Sequence, residues 1–276
     1  MHTHVTAPTQ FVDADGILYA YRRFGAAEGT PLLFLQHFTG TMDAWDPFVV
    51  DGFAQESPVV LFDSAGVSRS GGVTPDSVHA MAHHAARFIA AIGITQVDVL
   101  GFSLGGFVAQ VLADRYPHLV RRIILAGTGP EGGEGIANLP DLIAQAQQAA
   151  PAEPRLFLFF DQTESSQGAG RSFIERQRRR SVERDPDSNA QTVAAQLRAI
   201  VRWGSTAESA VRLQHIAQPV LVVNGKSDVM VPTINSIALF RQLPNARLNL
   251  YPDSGHGALF QYGDAFVDEG VQFLKD

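Results

Sequence analysis

The chain has 276 residues, of which 45% are hydrophobic, and it carries a formal net charge of −7. An acidic chain is a poor match for nucleic acid or for an anionic membrane surface, so we expect neither as a partner. The absence of cysteine excludes disulfides, thiol catalysis and thiolate metal ligands. No N-terminal segment resembles a signal peptide and no apolar run approaches the ~18 residues of a membrane span, so we expect a cytoplasmic protein.

The predicted elements begin with a β-hairpin, since a turn-forming Asp-Gly at residues 15–16 separates two apolar runs. After the hairpin, apolar runs with the length of buried strands alternate with segments of helical periodicity. The strands are predicted near residues 31–36, 58–62, 96–101, 121–126, 219–224 and 246–251, and the helices near residues 76–92, 103–116, 233–242 and 259–275. This alternation predicts an α/β fold with a doubly wound, mostly parallel sheet of eight strands.

The alternation is interrupted between the strands at 121–126 and 219–224. A glycine-rich stretch at residues 129–135 marks the start of the interruption, and helices are predicted over 141–149, 173–183 and 190–203. We therefore predict an α/β core of residues 1–128 and 214–276 and an inserted helical segment of residues 129–213. The apolar run at residues 156–160 either faces an active-site cleft or forms the core of the insertion, and both interpretations stay open.

The insertion also contains a cluster of charged residues. Opposite charges at helical spacing are typical of a solvent-exposed helix face and need no ligand. We expect such a face for the arginines and acids between residues 171 and 187, namely Arg171, Arg176, Arg178, Arg179, Arg180, Arg184, Glu175, Glu183, Asp185 and Asp187.

The sequence Gly-Phe-Ser-Leu-Gly at residues 101–105 joins a predicted strand to a predicted helix. A G-x-S-x-G sequence between a strand and a helix is typical of a nucleophile elbow. Its glycines let the strand and the helix pass closely around a serine with a strained backbone. The helix N-terminus directs free N–H groups at charge that develops beside the serine. This context, more than the pentapeptide alone, predicts Ser103 as a nucleophile.

Two further residues follow in the order that accompanies such a serine, an acid and then a histidine. Asp228 lies in a loop after the predicted strand at 219–224, and His256 lies between two glycines after the strand at 246–251. Doubly wound sheets place functional residues beyond the carboxyl ends of their strands. A single loop histidine is usually a surface residue, but a histidine in this order and position predicts the base of a Ser-His-Asp triad.

These residues and two further motifs resemble the α/β-hydrolase superfamily over nearly the whole chain. The strand at 31–36 leads into His37-Phe38-Thr39-Gly40 and then Trp45, which is similar to the loop that supplies part of the family's oxyanion hole. Residues 63–70 resemble its D-x-x-G-x-G-x-S segment. The family usually has His-Gly where this chain has His37-Phe38. The resemblance implies that the backbone N–H groups of Leu104 and Phe38 donate to the oxyanion. The backbone N–H group of Thr39 is the alternative to that of Phe38.

The resemblance also implies that residues 129–213 form a lid that roofs the substrate pocket. We expect Trp45, Phe157 and Phe160 to contact the substrate. We expect a small-molecule substrate, no cofactor and no metal, and the sequence leaves a homodimer open.

The predicted activity is that of a serine hydrolase acting on a small to medium, apolar carboxylic ester or lactone through an acyl-enzyme. Carbon–carbon bond hydrolysis and cofactor-free perhydrolase or haloperoxidase chemistry use the same triad and are alternatives. Outside enzymes, a ligand receptor on a hydrolase scaffold is also an alternative. Dehalogenase and epoxide hydrolase relatives carry an aspartate at the position of Ser103, which disfavours those activities.

Overall fold

Eight strands form one sheet in the computed structural model, which describes residues 2–206 and 209–276. The order across the sheet is β1-β2-β4-β3-β5-β6-β7-β8. The strands are β1 (Gln10–Ala14), β2 (Ile17–Gly25), β3 (Leu32–Leu35), β4 (Pro58–Phe62), β5 (Val97–Phe102), β6 (Val120–Ala126), β7 (Val220–Gly225) and β8 (Ala246–Tyr251). The pairs β1–β2 and β2–β4 are antiparallel and the remaining pairs are parallel. The predicted fold class and all the predicted strands are confirmed.

Helices cover the sheet, and several of them lie in the long connection between β6 and β7. They are α1 (Pro47–Ala54), α2 (Val78–Ala91), α3 (Leu104–Arg115), α4 (Leu139–Ala149), α5 (Pro154–Phe159), α6 (Glu164–Gln177), α7 (Ala190–Ser205), α8 (Ile234–Gln242), α9 (Ala258–Gln261) and α10 (Gly263–Lys275). Short 3-10 turns lie at Met42–Ala44, Pro117–Leu119, Ile136–Asn138 and Leu213–His215. No helix within residues 2–206 and 209–276 is long and apolar enough to cross a membrane.

The central strands are recognisable in the sequence because they are buried on both faces. Every residue of β3, β4, β5 and β7 is buried. A parallel strand between two layers of helices has no solvent-facing side, so its sequence is a continuous apolar run without polar alternation. The core of the protein therefore lies on both sides of these strands.

Several helices differ from the sequence-based prediction, among them α5, which contains most of the apolar run at 156–160 and was not predicted as a helix. The apolar pattern does not predict α1, although Asp46 accepts from the Phe48 N–H and Pro47 follows it, which is a standard helix start. The helix predicted at 173–183 is α6, which begins nine residues earlier because the Thr163 side chain caps it by accepting from the Ser166 N–H. The helix predicted at 259–275 is divided at Tyr262 into α9 and α10.

The segment from residue 129 to residue 213, called here the β6–β7 segment, contains α4 to α7. It joins two strands that are neighbours and parallel in the sheet. The expectation that its charged residues all form a solvent-exposed face is wrong for two of them. Arg180 is 3% exposed and Asp185 is 5% exposed, because both pack against charged groups of the core.

Candidate active site

Ser103 lies at the sharp turn between β5 and α3, with φ 56° and ψ −117°. A positive φ is strained for a residue with a side chain, and such strain persists only where the surroundings hold it. A Cβ on Gly101 would lie 2.5 Å from the Gly105 carbonyl oxygen, and a Cβ on Gly105 would overlap the Leu35 carbonyl. The two glycines of the pentapeptide are therefore required by the close approach of backbone to backbone.

The end of β6 fixes the backbone of Ser103. The Ser103 N–H donates to the Ala126 carbonyl at 2.9 Å, and the Thr128 hydroxyl donates to the Ser103 carbonyl at 2.9 Å. Both backbone groups of the serine are thus engaged with a neighbouring strand and the loop that follows it. The hydroxyl is left at the carboxyl end of the sheet, beside the N-terminus of α3.

His256 and Asp228 form a buried pair in which His256 Nδ1 lies 2.8 Å from Asp228 Oδ2. The second carboxylate oxygen, Oδ1, accepts from the N–H groups of Met230 at 2.8 Å and Val231 at 3.0 Å. These bonds fix the carboxylate in position. Because a carboxylate accepts, Nδ1 carries the proton in this pair and Nε2 of the neutral ring is left as a base.

Ser103 and His256 line the same cavity, which has a volume of about 130 Å³. His256 Nε2 is buried and has no hydrogen-bond partner among the described residues, and no hydrogen bond joins it to the Ser103 hydroxyl. The Gly257 N–H donates to the Phe159 carbonyl at 2.7 Å, which holds the histidine loop against the β6–β7 segment. Ser103 and a histidine whose Nε2 has no partner among the described residues therefore line the same cavity.

The other residues that line this cavity are mostly apolar. They are Ile143, Leu158, Phe159 and Met230, together with His37, Phe38, Thr39 and Arg155. The guanidinium of Arg155 donates to both carboxylate oxygens of Glu153, at 2.8 and 3.1 Å, and to Gln177 Oε1. Its charge is thus already matched by an acid of the same segment.

The candidate oxyanion donors are the backbone N–H group of Leu104 and that of Phe38 or Thr39, and they differ in whether a hydrogen-bond partner already occupies them. Leu104 is the first residue of α3, where backbone N–H groups have no partner within the helix. The Thr39 N–H donates to Gln196 Oε1 at 2.7 Å, whereas the Phe38 N–H has no partner among the described residues. Of the two amides considered for the loop after β3, the structure leaves that of Phe38 available.

His37 is a buried neutral group beside the candidate base. Its Nδ1 donates to the Phe38 carbonyl at 2.8 Å, and its ring makes edge contacts with Phe102 and Phe159. Burial lowers the pKa of His37 to about 4. At neutral pH the ring therefore places no positive charge next to His256.

The residues predicted to contact the substrate lie elsewhere. Trp45 is fully buried and packs edge-on against Phe34 at 5.0 Å between ring centroids. Phe157 and Phe160 line a second cavity of about 220 Å³, which also contains Leu158. The apolar run at 156–160 thus contributes Leu158 and Phe159, not Phe157 and Phe160, to the Ser103 cavity.

Sequence reasoning missed three lining residues, Ile143, Arg155 and Met230, whereas Leu158 and Phe159 belong to the apolar run that was expected either to face the cleft or to form the core of the insertion. Only Met230 had a signal in the sequence, since it lies two residues after Asp228 in the same loop. The others belong to the β6–β7 segment, whose packing no local pattern specifies. Across residues 2–206 and 209–276, no group of three or more histidine or acidic side chains is placed to hold a metal ion.

The segment from Asp63 to Ser70 is engaged in structural contacts. The Ser70 hydroxyl donates to the Asp63 carbonyl at 2.6 Å and accepts from the Ala20 N–H at 2.9 Å. The Asp63 carboxylate accepts from the Met42 N–H at 2.9 Å. This motif therefore joins β2, β4 and the turn before Trp45.

Comparisons with known proteins agree with this architecture. A family model for the alpha/beta hydrolase fold matches residues 30–261. A solved structure described as an alpha/beta hydrolase fold protein from Chitinophaga pinensis is 45% identical over 100% of both chains, with a TM-score of 0.97. A 2-hydroxy-6-oxo-6-phenylhexa-2,4-dienoate hydrolase from Burkholderia cepacia is 28% identical over 83% of this chain and 80% of its own. A poly(3-hydroxyalkanoate) depolymerase from Ectopseudomonas oleovorans is 28% identical over 92% of this chain and 87% of its own. The chain belongs to the α/β hydrolase family.

Proposed function

We propose that this protein is a serine hydrolase that cleaves a small to medium, apolar carboxylic ester or lactone. The observation that carries the proposal is the buried Asp228–His256 pair: His256 lines one mostly apolar cavity together with the strained Ser103, and its Nε2 has no other partner among the described residues. A serine hydroxyl is a poor nucleophile at neutral pH and needs an adjacent base of this kind.

The proposed reaction begins when the Ser103 hydroxyl attacks the substrate carbonyl and His256 Nε2 takes its proton. Asp228 stabilises the imidazolium that forms. The N–H groups of Leu104 and Phe38 donate to the oxyanion, and one such donor typically lowers the barrier by ~3 kcal/mol. His256 then protonates the leaving alkoxide as the carbon–oxygen bond breaks. A water molecule, deprotonated by His256, hydrolyses the acyl-enzyme and regenerates the serine.

The lining of the cavity favours a neutral, apolar acyl group. Ile143, Leu158, Phe159 and Met230 supply apolar surface, and the charge of Arg155 is matched by Glu153. An uncharged substrate would leave that ion pair intact, whereas an anion would compete with Glu153 for the guanidinium. The relative from Ectopseudomonas oleovorans acts on a polyester by its name, which supports ester chemistry in this family.

We also propose that the β6–β7 segment is the cap that roofs the pocket. Ile143, Arg155, Leu158 and Phe159 all come from α4 and α5 of that segment and face the same cavity as Ser103. A roof built from an insertion sets which substrates fit, while the triad below carries chemistry common to all of them.

Carbon–carbon bond hydrolysis is the second candidate. Three curated relatives that are 27–28% identical are named as hydrolases of 2-hydroxy-6-oxo acids with conjugated double bonds. The same serine and oxyanion donors would serve, with a carbanion in place of an alkoxide as the leaving group. Such a substrate carries a carboxylate, which would compete with Glu153 if it bound the guanidinium of Arg155.

Two measurements test the proposal. A fluorophosphonate probe should label the wild-type protein at Ser103, and Ser103→Ala should abolish both labelling and turnover while leaving the fold intact. Steady-state turnover should be measured on p-nitrophenyl esters of increasing chain length, lactones, a 2-hydroxy-6-oxodienoate and a peracid assay. Sustained turnover of esters or lactones supports the proposal. Preference for the dienoate or the peracid reaction, or a single turnover typical of a receptor, would contradict it.

A further inference from the structure

The loop His37–Gly40, called here the oxyanion loop, is bound to the β6–β7 segment through both backbone groups of Thr39. The Thr39 N–H donates to Gln196 Oε1 at 2.7 Å, and the Thr39 carbonyl accepts from the Ser188 hydroxyl at 2.9 Å. Gln196 lies on α7 with only 4% of its surface exposed, and Ser188 precedes that helix. The oxyanion loop is therefore tied to residues more than a hundred positions away in the chain.

The backbone of the oxyanion loop needs such support. The Gly40 N–H donates to the His37 carbonyl at 3.0 Å, which closes a β-turn with Thr39 at its third position. Thr39 has φ 62°, whereas Phe38 does not have a positive φ. This is type II geometry, in which glycine or asparagine is favoured at the third position. A β-branched threonine there is strained, so surrounding contacts must hold it.

The peptide unit between Phe38 and Thr39 is held at both ends. Its carbonyl accepts from His37 Nδ1 at 2.8 Å, and its N–H donates to Gln196. Turning this peptide over would relieve the positive φ of Thr39 but would break both hydrogen bonds. These two hydrogen bonds therefore hold the peptide in the orientation that the structure shows.

We propose that Gln196 is a positioning residue that holds the oxyanion loop so that the Phe38 N–H points at the developing oxyanion. The inference rests on the proposed function, because it requires Ser103 to form a tetrahedral intermediate beside that amide. Gln196 acts through Thr39 and touches neither substrate nor nucleophile. The oxyanion hole is then complete only while α7 is docked on the core, which couples closure of the cap to the catalytic step.

Two substitutions at Gln196 distinguish the role of its acceptor oxygen from that of its side-chain volume. Gln196→Met keeps the length of the side chain but removes the oxygen that accepts from Thr39. Gln196→Glu keeps an acceptor oxygen at the same place. On p-nitrophenyl butyrate we expect Gln196→Met to lower kcat by about tenfold to a hundredfold with KM within about twofold, since losing a whole oxyanion donor costs 10²–10³. We expect Gln196→Glu to stay within about threefold of wild-type kcat.

Thr192 provides a matched control on the same helix. It lies one turn before Gln196, is buried, and donates to the Gly66 carbonyl at 2.7 Å, away from the oxyanion loop. Thr192→Val removes two hydrogen bonds between α7 and the core, to the Gly66 carbonyl and with the Thr74 hydroxyl, and leaves the contacts of Thr39 in place, so its kcat should stay within about twofold of wild type. The melting temperature of each variant shows how much α7 docking is weakened. An equal loss of kcat in Thr192→Val and Gln196→Met would overturn the proposal, because general loosening of α7 would then explain both.

The affinity for a transition-state analogue reports on the oxyanion hole separately from the stability of the fold. An alkyl boronic acid forms a tetrahedral adduct with a nucleophilic serine and places an oxygen in the oxyanion hole. Its affinity should fall in Gln196→Met by the same factor as kcat/KM.

If Gln196→Met fails to fold, Ser188→Ala serves instead, with a several-fold fall in kcat at unchanged KM. Unchanged kcat and boronate affinity in the folded variant would overturn the proposal. Failure of the proposed function itself is distinguishable, because it would be seen in the wild-type protein, which would then either not be labelled at Ser103 or not sustain turnover of p-nitrophenyl esters.

Discussion

The guanidinium of Arg22 and the carboxylate of Asp185 form an ion pair inside the protein, with Nη2 and Oδ2 3.1 Å apart and both side chains fully buried. The other terminal nitrogen of Arg22 binds Asp43. Burial, together with the nearby charge of Asp43, raises the pKa of Asp185 to about 6. One strand residue of the core therefore bridges two acids, one of which belongs to the β6–β7 segment, and Arg69 and Arg180 add further positive charge beside them.

Removing Arg22 should be strongly destabilising. Arg22→Met keeps most of the side-chain volume but leaves Asp43 and Asp185 without their shared partner, and breaking a buried ion pair in this way costs about 3–5 kcal/mol of unfolding free energy. Urea denaturation measures the loss. Arg87→Met is the control, because Arg87 pairs with Asp15 on the surface with half of each side chain exposed, and it should unfold at the wild-type urea concentration. Equal stability of the two variants would contradict the importance assigned to Arg22.

Replacing the orienting acid should reduce catalysis and leave substrate binding nearly unchanged. Asp228→Asn preserves shape but no longer stabilises an imidazolium or selects the required tautomer. The analogous change in a serine protease lowers kcat by ~10⁴, and we expect a similar loss here with KM within a few-fold. Asp253→Asn is the control, since Asp253 is a half-buried acid three residues before His256 that accepts from the Ser165 hydroxyl. Retention of activity in Asp228→Asn, or its loss in Asp253→Asn, would mean that another acid orients the histidine.

Substrate preference should respond to Ile143 and not to Phe157. Ile143 lines the Ser103 cavity, whereas Phe157 lines the neighbouring one. Ile143→Ala enlarges the proposed acyl pocket, and because one methylene in an apolar pocket is worth roughly 1–3 kcal/mol, the ratio of kcat/KM between long and short p-nitrophenyl esters should rise about tenfold or more. Phe157→Ala should leave this ratio unchanged. A shift of similar size in Phe157→Ala would show that Phe157 contacts the substrate, as the sequence analysis predicted.

The buried His37 should make stability fall in acid. Its pKa is about 4 in the folded protein, below the ordinary value of 6.5. Between these values the unfolded chain binds a proton that the folded protein does not, so the free energy of unfolding decreases as the pH falls, by up to ~3 kcal/mol. His37→Asn keeps a donor near the position of Nδ1 and cannot titrate. Urea unfolding at pH 7 and pH 4.5 should therefore show a larger acid loss in wild type than in the variant. Parallel losses would show that His37 does not titrate in this window.

The sequence by itself determined the sheet and the order of the candidate triad. The central strands are buried on both faces, so each of them has a continuous apolar run in its own sequence. Ser103 and Asp228 each follow such a strand, and His256 follows the partly exposed strand β8. The parallel arrangement brings the carboxyl ends of these three strands to one edge. The glycines at 101 and 105 add a local requirement, since the close backbone approach around Ser103 leaves no room for a side chain.

Only the tertiary structure decided which residues meet at the cavity and which charges are buried. Within the run at 156–160, Phe159 faces His256 while Phe157 lines another cavity, because successive residues of a helix point about 100° apart and the docking angle of α5 selects the face. Asp185 is buried because Arg22 neutralises it, and the Thr39 N–H is occupied because Gln196 accepts from it. Each partner lies more than 150 residues away in the chain, so no local pattern carries the information. Burial and hydrogen-bond pairing depend on what packs against a residue, and that is settled only when the β6–β7 segment docks on the core.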